Sequence, residues 1–164
     1  MNAHQLTLLS KQLQRKDMKL NKISVAKILY GFRTQSDKPE HMKKILKVLT
    51  QKISGDSYML LDGQGVGNSL YGLQNMTGES TELRALLSEL RHHVKHCTRE
   101  LKSQEIGNAL YGLHNMSSDI KEVRDILHSL ADRVLKCPEE LSAQTVGNSV
   151  YSLQHMDSEH VEVT

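Results

Sequence analysis

The 164-residue sequence is poor in aromatic residues, cysteine and proline. It has five Tyr, one Phe and no Trp, together with two Cys and two Pro. Two cysteines are too few for the disulfide framework of a small secreted domain, which favours a reducing compartment. No run of about 18 apolar residues occurs, so the sequence predicts no transmembrane helix. We therefore expect an intracellular protein, in the cytoplasm or in an organelle matrix.

The net charge of +2 combines a basic beginning with an acidic remainder. Residues 1–54 hold 12 Lys and Arg against 3 Asp and Glu, whereas residues 55–164 hold 9 against 16. This asymmetry is either the mark of an anionic partner at one end or an ordinary solvated helix surface. The acid-free start, residues 1–16, has the composition of a mitochondrial presequence, although its leucines also fit the repeat described next.

An eleven-residue motif recurs at intervals of 40 residues. It reads VGNSLYGLQNM from Val66, IGNALYGLHNM from Ile106 and VGNSVYSLQHM from Val146. Residues 62–101 and 102–141 are identical at 17 of 40 positions, and a degenerate earlier copy reads SVAKILYGF. Periods of this length are typical of solenoid proteins, in which each repeat is one supersecondary unit.

Each repeat divides into two predicted helices. The longer is typified by STELRALLSELRHHVKHC, whose apolar residues recur at the spacing of one helical face. These residues are Leu83, Leu86, Leu87, Leu90, Val94 and Cys97. The shorter helix carries the eleven-residue motif and is expected to end near Met76, Met116 and Met156. Its plausible N-caps are Asp62, Ser103 and Ser142.

The predicted fold is an all-α, right-handed α-solenoid of about four two-helix repeats, with eight helices and a period of about 40 residues. The whole chain forms a single domain in this prediction. Its units are approximately residues 1–36, 37–77, 78–117 and 118–157, and residues 158–164 would begin a further unit.

Gly67 and Tyr71 flank the apolar face of the shorter helix, one turn apart. A glycine inside a helix costs about 1 kcal/mol relative to alanine. Its recurrence as Gly107 and Gly147 therefore predicts a close approach between neighbouring helices, with the Tyr ring covering the next repeat. Most of the motif is thus expected to be a joint between repeats.

The remaining motif positions carry amides on the opposite face. Asn68, Asn108 and Asn148 would form a ladder that hydrogen-bonds either base edges or the backbone of an extended peptide. A base-reading code requires positions that differ between repeats. The better candidates for selectivity are therefore the two positions that change between copies: Gln74, His114 and Gln154 at one, and Asn75, Asn115 and His155 at the other.

The motif resembles the second helix of octotricopeptide-type repeats, and of the related heptatricopeptide repeats found with RAP domains. The stretch LSAQTVGNSVYSL, residues 141–153, is the most similar copy, and the resemblance covers nearly the whole chain. It implies an α-solenoid that binds RNA, usually in an organelle, and acts in the expression or processing of transcripts.

The basic stretch KPEHMKKILKVLTQK supplies the cationic candidates. Lys43, Lys44 and Lys47 fall outside its apolar stripe. They would either solvate an exposed helix or contact phosphates, which supply affinity independent of base sequence.

No nucleophile–base set and no phosphate-cradling glycine loop stands out, so we predict neither catalysis nor a small-molecule substrate. HHVKHC spaces His92 and His96, and His93 and Cys97, as pairs of metal ligands. A structural zinc site needs four ligands, and the next copy reads DRVLKC. We therefore predict no metal and no cofactor. The leading function is binding of single-stranded RNA, and the competing one is a protein–peptide scaffold.

Overall fold

The computed structural model describes residues 3–54 and 59–157, and these residues form eight α-helices. The helices are α1 (Ala3–Leu13), α2 (Lys22–Gly31), α3 (Glu40–Ser54), α4 (Gly63–Tyr71), α5 (Thr81–His96), α6 (Ser103–Tyr111), α7 (Lys121–Leu135) and α8 (Ala143–Leu153). The predicted all-α fold of eight helices is confirmed. The predicted start of a further unit at 158–164 lies outside the described residues.

Each helix packs against the helix two places further along the chain. The odd-numbered helices α1, α3, α5 and α7 therefore form one layer, and the even-numbered helices α2, α4, α6 and α8 form the other. Contacts of α4 with α5 and of α6 with α7 join the layers. Consecutive hairpins packed in this way form a helical solenoid of four repeats, in which each repeat contacts mainly its neighbours.

The core lies between the layers, and the longer helices supply most of it. On α5 the buried residues include Leu83, Leu86, Leu87, Leu90 and Val94, as the apolar stripe predicts. Helices α3 and α7 bury the equivalent stripes. Because neighbouring repeats cover each other's apolar faces, the buried residues form one continuous core.

Two of the three predicted N-caps of the shorter helices are confirmed. The Asp62 side chain accepts a hydrogen bond from the backbone N–H of Gly65 at 2.9 Å. The Ser142 hydroxyl accepts one from the N–H of Thr145 at 3.1 Å. Each side chain satisfies a donor that the first helical turn leaves without an intrahelical partner.

The prediction of Ser103 as an N-cap is wrong, because Lys102 holds that position. The ammonium of Lys102 cannot accept a hydrogen bond. Instead, the Glu105 carboxylate accepts one from the backbone N–H of Lys102 at 2.8 Å. Ser103 is buried and its hydroxyl lies 2.8 Å from that of Thr145 in the next repeat. It therefore contributes to the joint between α6 and α8.

The shorter helices also end earlier than predicted, at Tyr71, Tyr111 and Leu153. Beyond Tyr71 the chain continues as tight turns. Leu73 donates its N–H to the carbonyl of Leu70, and Met76 donates to that of Leu73, each at 2.8 Å. These hydrogen bonds join residues three positions apart, as in a 3₁₀-helix. They continue the chain compactly beyond the α-helix to Met76, which is buried.

A basic side chain links consecutive helices of the odd-numbered layer. Lys52 donates to the carbonyl oxygens of Arg15 at 2.8 Å and of Met18 at 2.7 Å, just beyond α1. Arg133 is buried and donates to the carbonyl oxygen of Val94 at 3.0 Å, at the end of α5. A cation at a helix C-terminus satisfies exposed carbonyl groups and complements the helix dipole.

A buried carboxylate before α3 links the second repeat to the third. Asp37 accepts the backbone N–H of Thr77 at 3.0 Å and that of Ser80 at 3.3 Å. Burial raises the pKa of Asp37, but the hydrogen bonds from Thr77 and Ser80 act the other way, and the net pKa lies below its ordinary value. Asp37 therefore stays ionised while it holds the turn before α5.

Candidate functional site

Two of the three motif glycines, Gly67 and Gly107, lie where neighbouring short helices touch, as the sequence predicts, whereas a Cβ placed at Gly147 would meet no described atom within 4 Å. A Cβ at Gly67 would lie 2.9 Å from the backbone oxygen of Glu105, on the next short helix. A Cβ at Gly107 would lie 3.4 Å from Cγ2 of Thr145, which is an ordinary contact. The joint between α4 and α6 is therefore closer at this position than the joint between α6 and α8.

The closest approach occurs at Gly72 and Gly112, one residue beyond the recurring Tyr. A Cβ at Gly72 would overlap the backbone carbonyl of Leu29, and one at Gly112 would overlap that of Leu70. Both contacts join a repeat to the one before it. The last repeat has the buried Ser152 at this position.

The four recurring tyrosines form a stacked ladder along the even-numbered layer. Ring centroids of Tyr30 and Tyr71, and of Tyr71 and Tyr111, are 5.8 Å apart, while those of Tyr111 and Tyr151 are 6.2 Å apart. The expectation that each ring covers a neighbouring repeat is confirmed. Because the rings face one another at this spacing, the ladder stabilises the joints and leaves no gap between rungs for a nucleobase.

Two of the candidate selectivity residues also link repeats. The amide nitrogen of Asn75 donates to the carbonyl oxygen of Arg33 at 2.6 Å, and that of Asn115 donates to the carbonyl oxygen of Gln74 at 2.7 Å. Each bond reaches the preceding repeat. His155 occupies the same position in the last repeat and is exposed.

The other variable position lies beside the tyrosine ladder. The His114 ring stacks on Tyr111 at 4.6 Å and lies 6.0 Å from the ring of Tyr151, and its Nδ1 lies 2.7 Å from the Tyr111 carbonyl oxygen. Gln74 is partly exposed and Gln154 is exposed. These side chains therefore lie at the margin of the joints.

A groove of about 740 Å³ runs along the even-numbered layer from α2 to α6. Its polar lining repeats from helix to helix. Lys27, Asn68 and Asn108 occupy equivalent positions of successive repeats, and each lines the groove. The structure thus brings together Asn68 and Asn108 of the predicted ladder. Asn148 lies one repeat further on, on α8.

Further polar side chains of the groove are Lys22, Gln64 and Gln104. Neither Lys22 nor Lys27 was among the sequence candidates. A signal for Lys27 was present, because aligning Tyr30 with Tyr71 places Lys27 opposite Asn68. Within the described part of the chain, neither lysine has an ion-pair or hydrogen-bonding partner on its side chain.

The single acidic residue among those that line the groove is Asp62, and its charge is compensated. One carboxylate oxygen accepts the Gly65 N–H, and the other lies 3.2 Å from a guanidinium nitrogen of Arg99. The α2 end of the groove is therefore positively charged, and its α4 and α6 walls are uncharged amides. This lining suits an anionic chain with hydrogen-bonding groups.

The lysines predicted from sequence lie elsewhere. Lys43, Lys44 and Lys47 lie on α3, in the odd-numbered layer, and none of them lines the groove. Lys43 instead borders a smaller pocket of about 270 Å³, to which Asp37 and Glu79 also contribute. The structure therefore does not bring these three lysines together with the amide ladder.

The histidine-rich end of α5 separates into two environments. His92 and His96 lie side by side with ring centroids 4.7 Å apart, whereas His93 is buried with its Nδ1 3.5 Å from the Leu61 nitrogen. Burial, and then the charge of His92, lowers the pKa of His93 to about 4. In residues 3–54 and 59–157, no group of three or more His, Cys, Asp or Glu is arranged to hold a metal ion.

Comparison with known proteins gives no match: neither a family model, nor a curated protein, nor a solved structure is similar to the chain. Within the described residues, no helix has the length and apolar character needed to cross a bilayer.

Proposed function

We propose that the protein is a binding module for single-stranded RNA and that the groove along α2, α4 and α6 holds the strand. The observation that carries the proposal is the row of Lys27, Asn68 and Asn108, which presents one polar side chain per repeat along one groove. Helical-repeat proteins of the PUF and PPR types read RNA with one base per repeat.

Residues that line the groove would bind RNA in two ways, through positive charge and through hydrogen bonds. Lys22 and Lys27 supply a positive entry, which attracts phosphates whatever the base sequence. The amides of Asn68 and Asn108 offer both a donor and an acceptor to base edges, sugars or phosphates. Because both positions are asparagine, binding is expected to depend only weakly on the base sequence of the RNA.

An anionic strand fits this groove better than a peptide does. The lysines bring positive charge to its α2 end, and the carboxylate of Asp62 is already paired with Arg99. A peptide has no regular negative charge that would use the two lysines. The octotricopeptide-like motif implies the same class of ligand as the groove chemistry.

The two groove lysines, Lys22 and Lys27, are expected to supply the salt-dependent part of RNA affinity. Replacing both, as Lys22→Gln with Lys27→Gln, should weaken RNA binding roughly tenfold in low salt. The log–log slope of affinity against salt should fall by about 1.4, because each phosphate contact on a single strand contributes about 0.7. Fluorescence anisotropy with short labelled RNA strands, titrated at several salt concentrations, measures both quantities.

The matched control is Lys44→Gln with Lys47→Gln, which removes two exposed lysines from α3. It should leave affinity and salt slope close to those of the wild type. Equal losses in the two variants would mean that the net charge, and not the groove, binds RNA. If the wild type binds no RNA strand below about 100 μM in low salt, the RNA proposal is wrong. A protein–peptide scaffold then becomes the better supported function.

A further inference from the structure

In α4 and α6, one face of the motif packs against the next repeat. On α8, the same face remains exposed among the described residues. Val150 is 67% exposed, whereas the equivalent Leu70 and Leu110 are 0% and 8% exposed. Val146 is 46% exposed, although the same position is buried in the earlier repeats. Solenoids usually end in a repeat with a polar outer face. Helix α8 instead presents the apolar surface on which a further repeat would pack.

Helices α2 and α8, the first and last of the described even-numbered layer, carry complementary halves of the internal joint. At internal joints, Gly72 and Gly112 each lie against the backbone of the preceding repeat. Gly31 holds the same position on α2, and no described atom lies within 4 Å of a Cβ placed there. At the other end, Gly147 corresponds to Gly67, and a Cβ there would also contact nothing within 4 Å.

The tyrosine ladder and the distribution of charge also make the α2 end and the α8 end complementary to each other. Tyr30 and Tyr151 are the end rungs of the ladder and are 40% and 50% exposed. The first repeat, residues 1–36, holds 7 basic residues against 1 acidic residue, whereas the last, residues 118–157, holds 4 basic against 7 acidic, all of them outside α8 itself. Opposite charges at the two ends favour an end-to-end encounter.

From these features we infer that the protein associates with a second copy of itself, head to tail. The α2 end of one copy packs on α8 of the next and repeats the contact between α6 and α8. Gly31 then lies against the backbone of Val150 and Tyr151, and Tyr30 of one copy stacks on Tyr151 of the other. A heterologous contact of this kind leaves both outer ends free, so it propagates into open oligomers.

The test uses the full chain without RNA, by sedimentation velocity over a range of concentrations. Wild-type protein should form dimers and larger species as concentration rises. Gly31→Leu should block the α2 end, and Val150→Lys the α8 end, each raising the apparent Kd at least about tenfold. Among the described residues nothing lies within 4 Å of a Cβ at Gly31, and Val150 is largely exposed, so both variants should fold. Ala85→Lys, at an exposed position of α5, is the matched control and should associate like the wild type.

Mixing the two variants distinguishes head-to-tail contact from any symmetric dimer. Gly31→Leu keeps its α8 end, and Val150→Lys keeps its α2 end, so an equimolar mixture should form dimers and nothing larger. Failure of the mixture to dimerise would overturn the inference, as would association that only Val150→Lys abolishes. A wild type that stays monomeric up to about 1 mM, where binding is worth only about 4 kcal/mol, would also overturn it.

Discussion

Gly112→Ala is expected to destabilise the protein by about 3 kcal/mol or more, whereas Gly107→Ala should leave it unchanged or up to about 1 kcal/mol more stable. Both glycines lie in ordinary right-handed helical or turn backbone, so alanine is conformationally acceptable at each. The difference is steric. The new methyl at position 112 would overlap the carbonyl of Leu70, and the new methyl at 107 would only touch the Thr145 side chain.

The backbone of α4 cannot move aside as a flexible side chain can. To admit the methyl group, α4 and α6 must separate, which would also loosen the stacking of Tyr71 on Tyr111. Equilibrium unfolding in denaturant gives the free energies of both variants. Similar free energies of unfolding for Gly112→Ala and Gly107→Ala would contradict the close approach of Gly112 to the Leu70 carbonyl.

Acidification from pH 7 to pH 4 is expected to remove about 3 kcal/mol of stability through His93 alone. Its pKa falls from 6.5 to about 4 in the folded protein, because the buried ring resists protonation. Between these values the unfolded chain binds more protons than the folded one. The contribution of His93 is therefore fully present above pH 6.5 and is lost as the pH falls through this window.

The variant His93→Gln keeps a polar side chain that can accept the Leu61 N–H but cannot be protonated. Its free energy of unfolding should change much less between pH 6.5 and pH 4 than that of the wild type. His92→Gln, at an exposed neighbour, is the control and should retain most of the pH dependence. Chemical unfolding at half-unit pH steps measures this, and parallel pH profiles of wild type and His93→Gln would contradict the assignment. Asp37 does not interfere with this test. Its pKa lies below 3.8, so the stability that its ionised form contributes is lost only at lower pH.

The fold could be predicted because the repeat signals agree. The stripe from Leu83 to Val94 has helical periodicity, and the same stripe recurs about 40 residues away on both sides. A recurring Gly and Tyr then indicate a joint between helices. The ends of the short helices could not be read in this way. The position of Tyr71 as the last helical residue depends on how Gly72 meets the backbone at Leu29, which is a tertiary contact.

The candidate site was only partly predictable. Helical periodicity places Asn68 and Asn108 on one face, and both line the groove. It cannot tell an amide open to a ligand from one that bonds a neighbouring backbone, as Asn75 and Asn115 do. The charge of residues 1–54 indicates a basic end but not which helix layer presents it. Lys43, Lys44 and Lys47 fall outside the apolar stripe of α3 and so are predicted as phosphate contacts, whereas the groove receives Lys22 and Lys27 from α2.

The proposed RNA-binding groove is tested most directly by locating the RNA on the protein. Single strands that contain 4-thiouridine are bound to the wild-type chain, crosslinked with light and identified on digested peptides by mass spectrometry. If the groove holds the strand, crosslinks are expected in α2 near Lys22 and Lys27 and in the α4 and α6 segments that carry Asn68 and Asn108. Crosslinks concentrated in α3, around Lys44 and Lys47, would contradict this proposal.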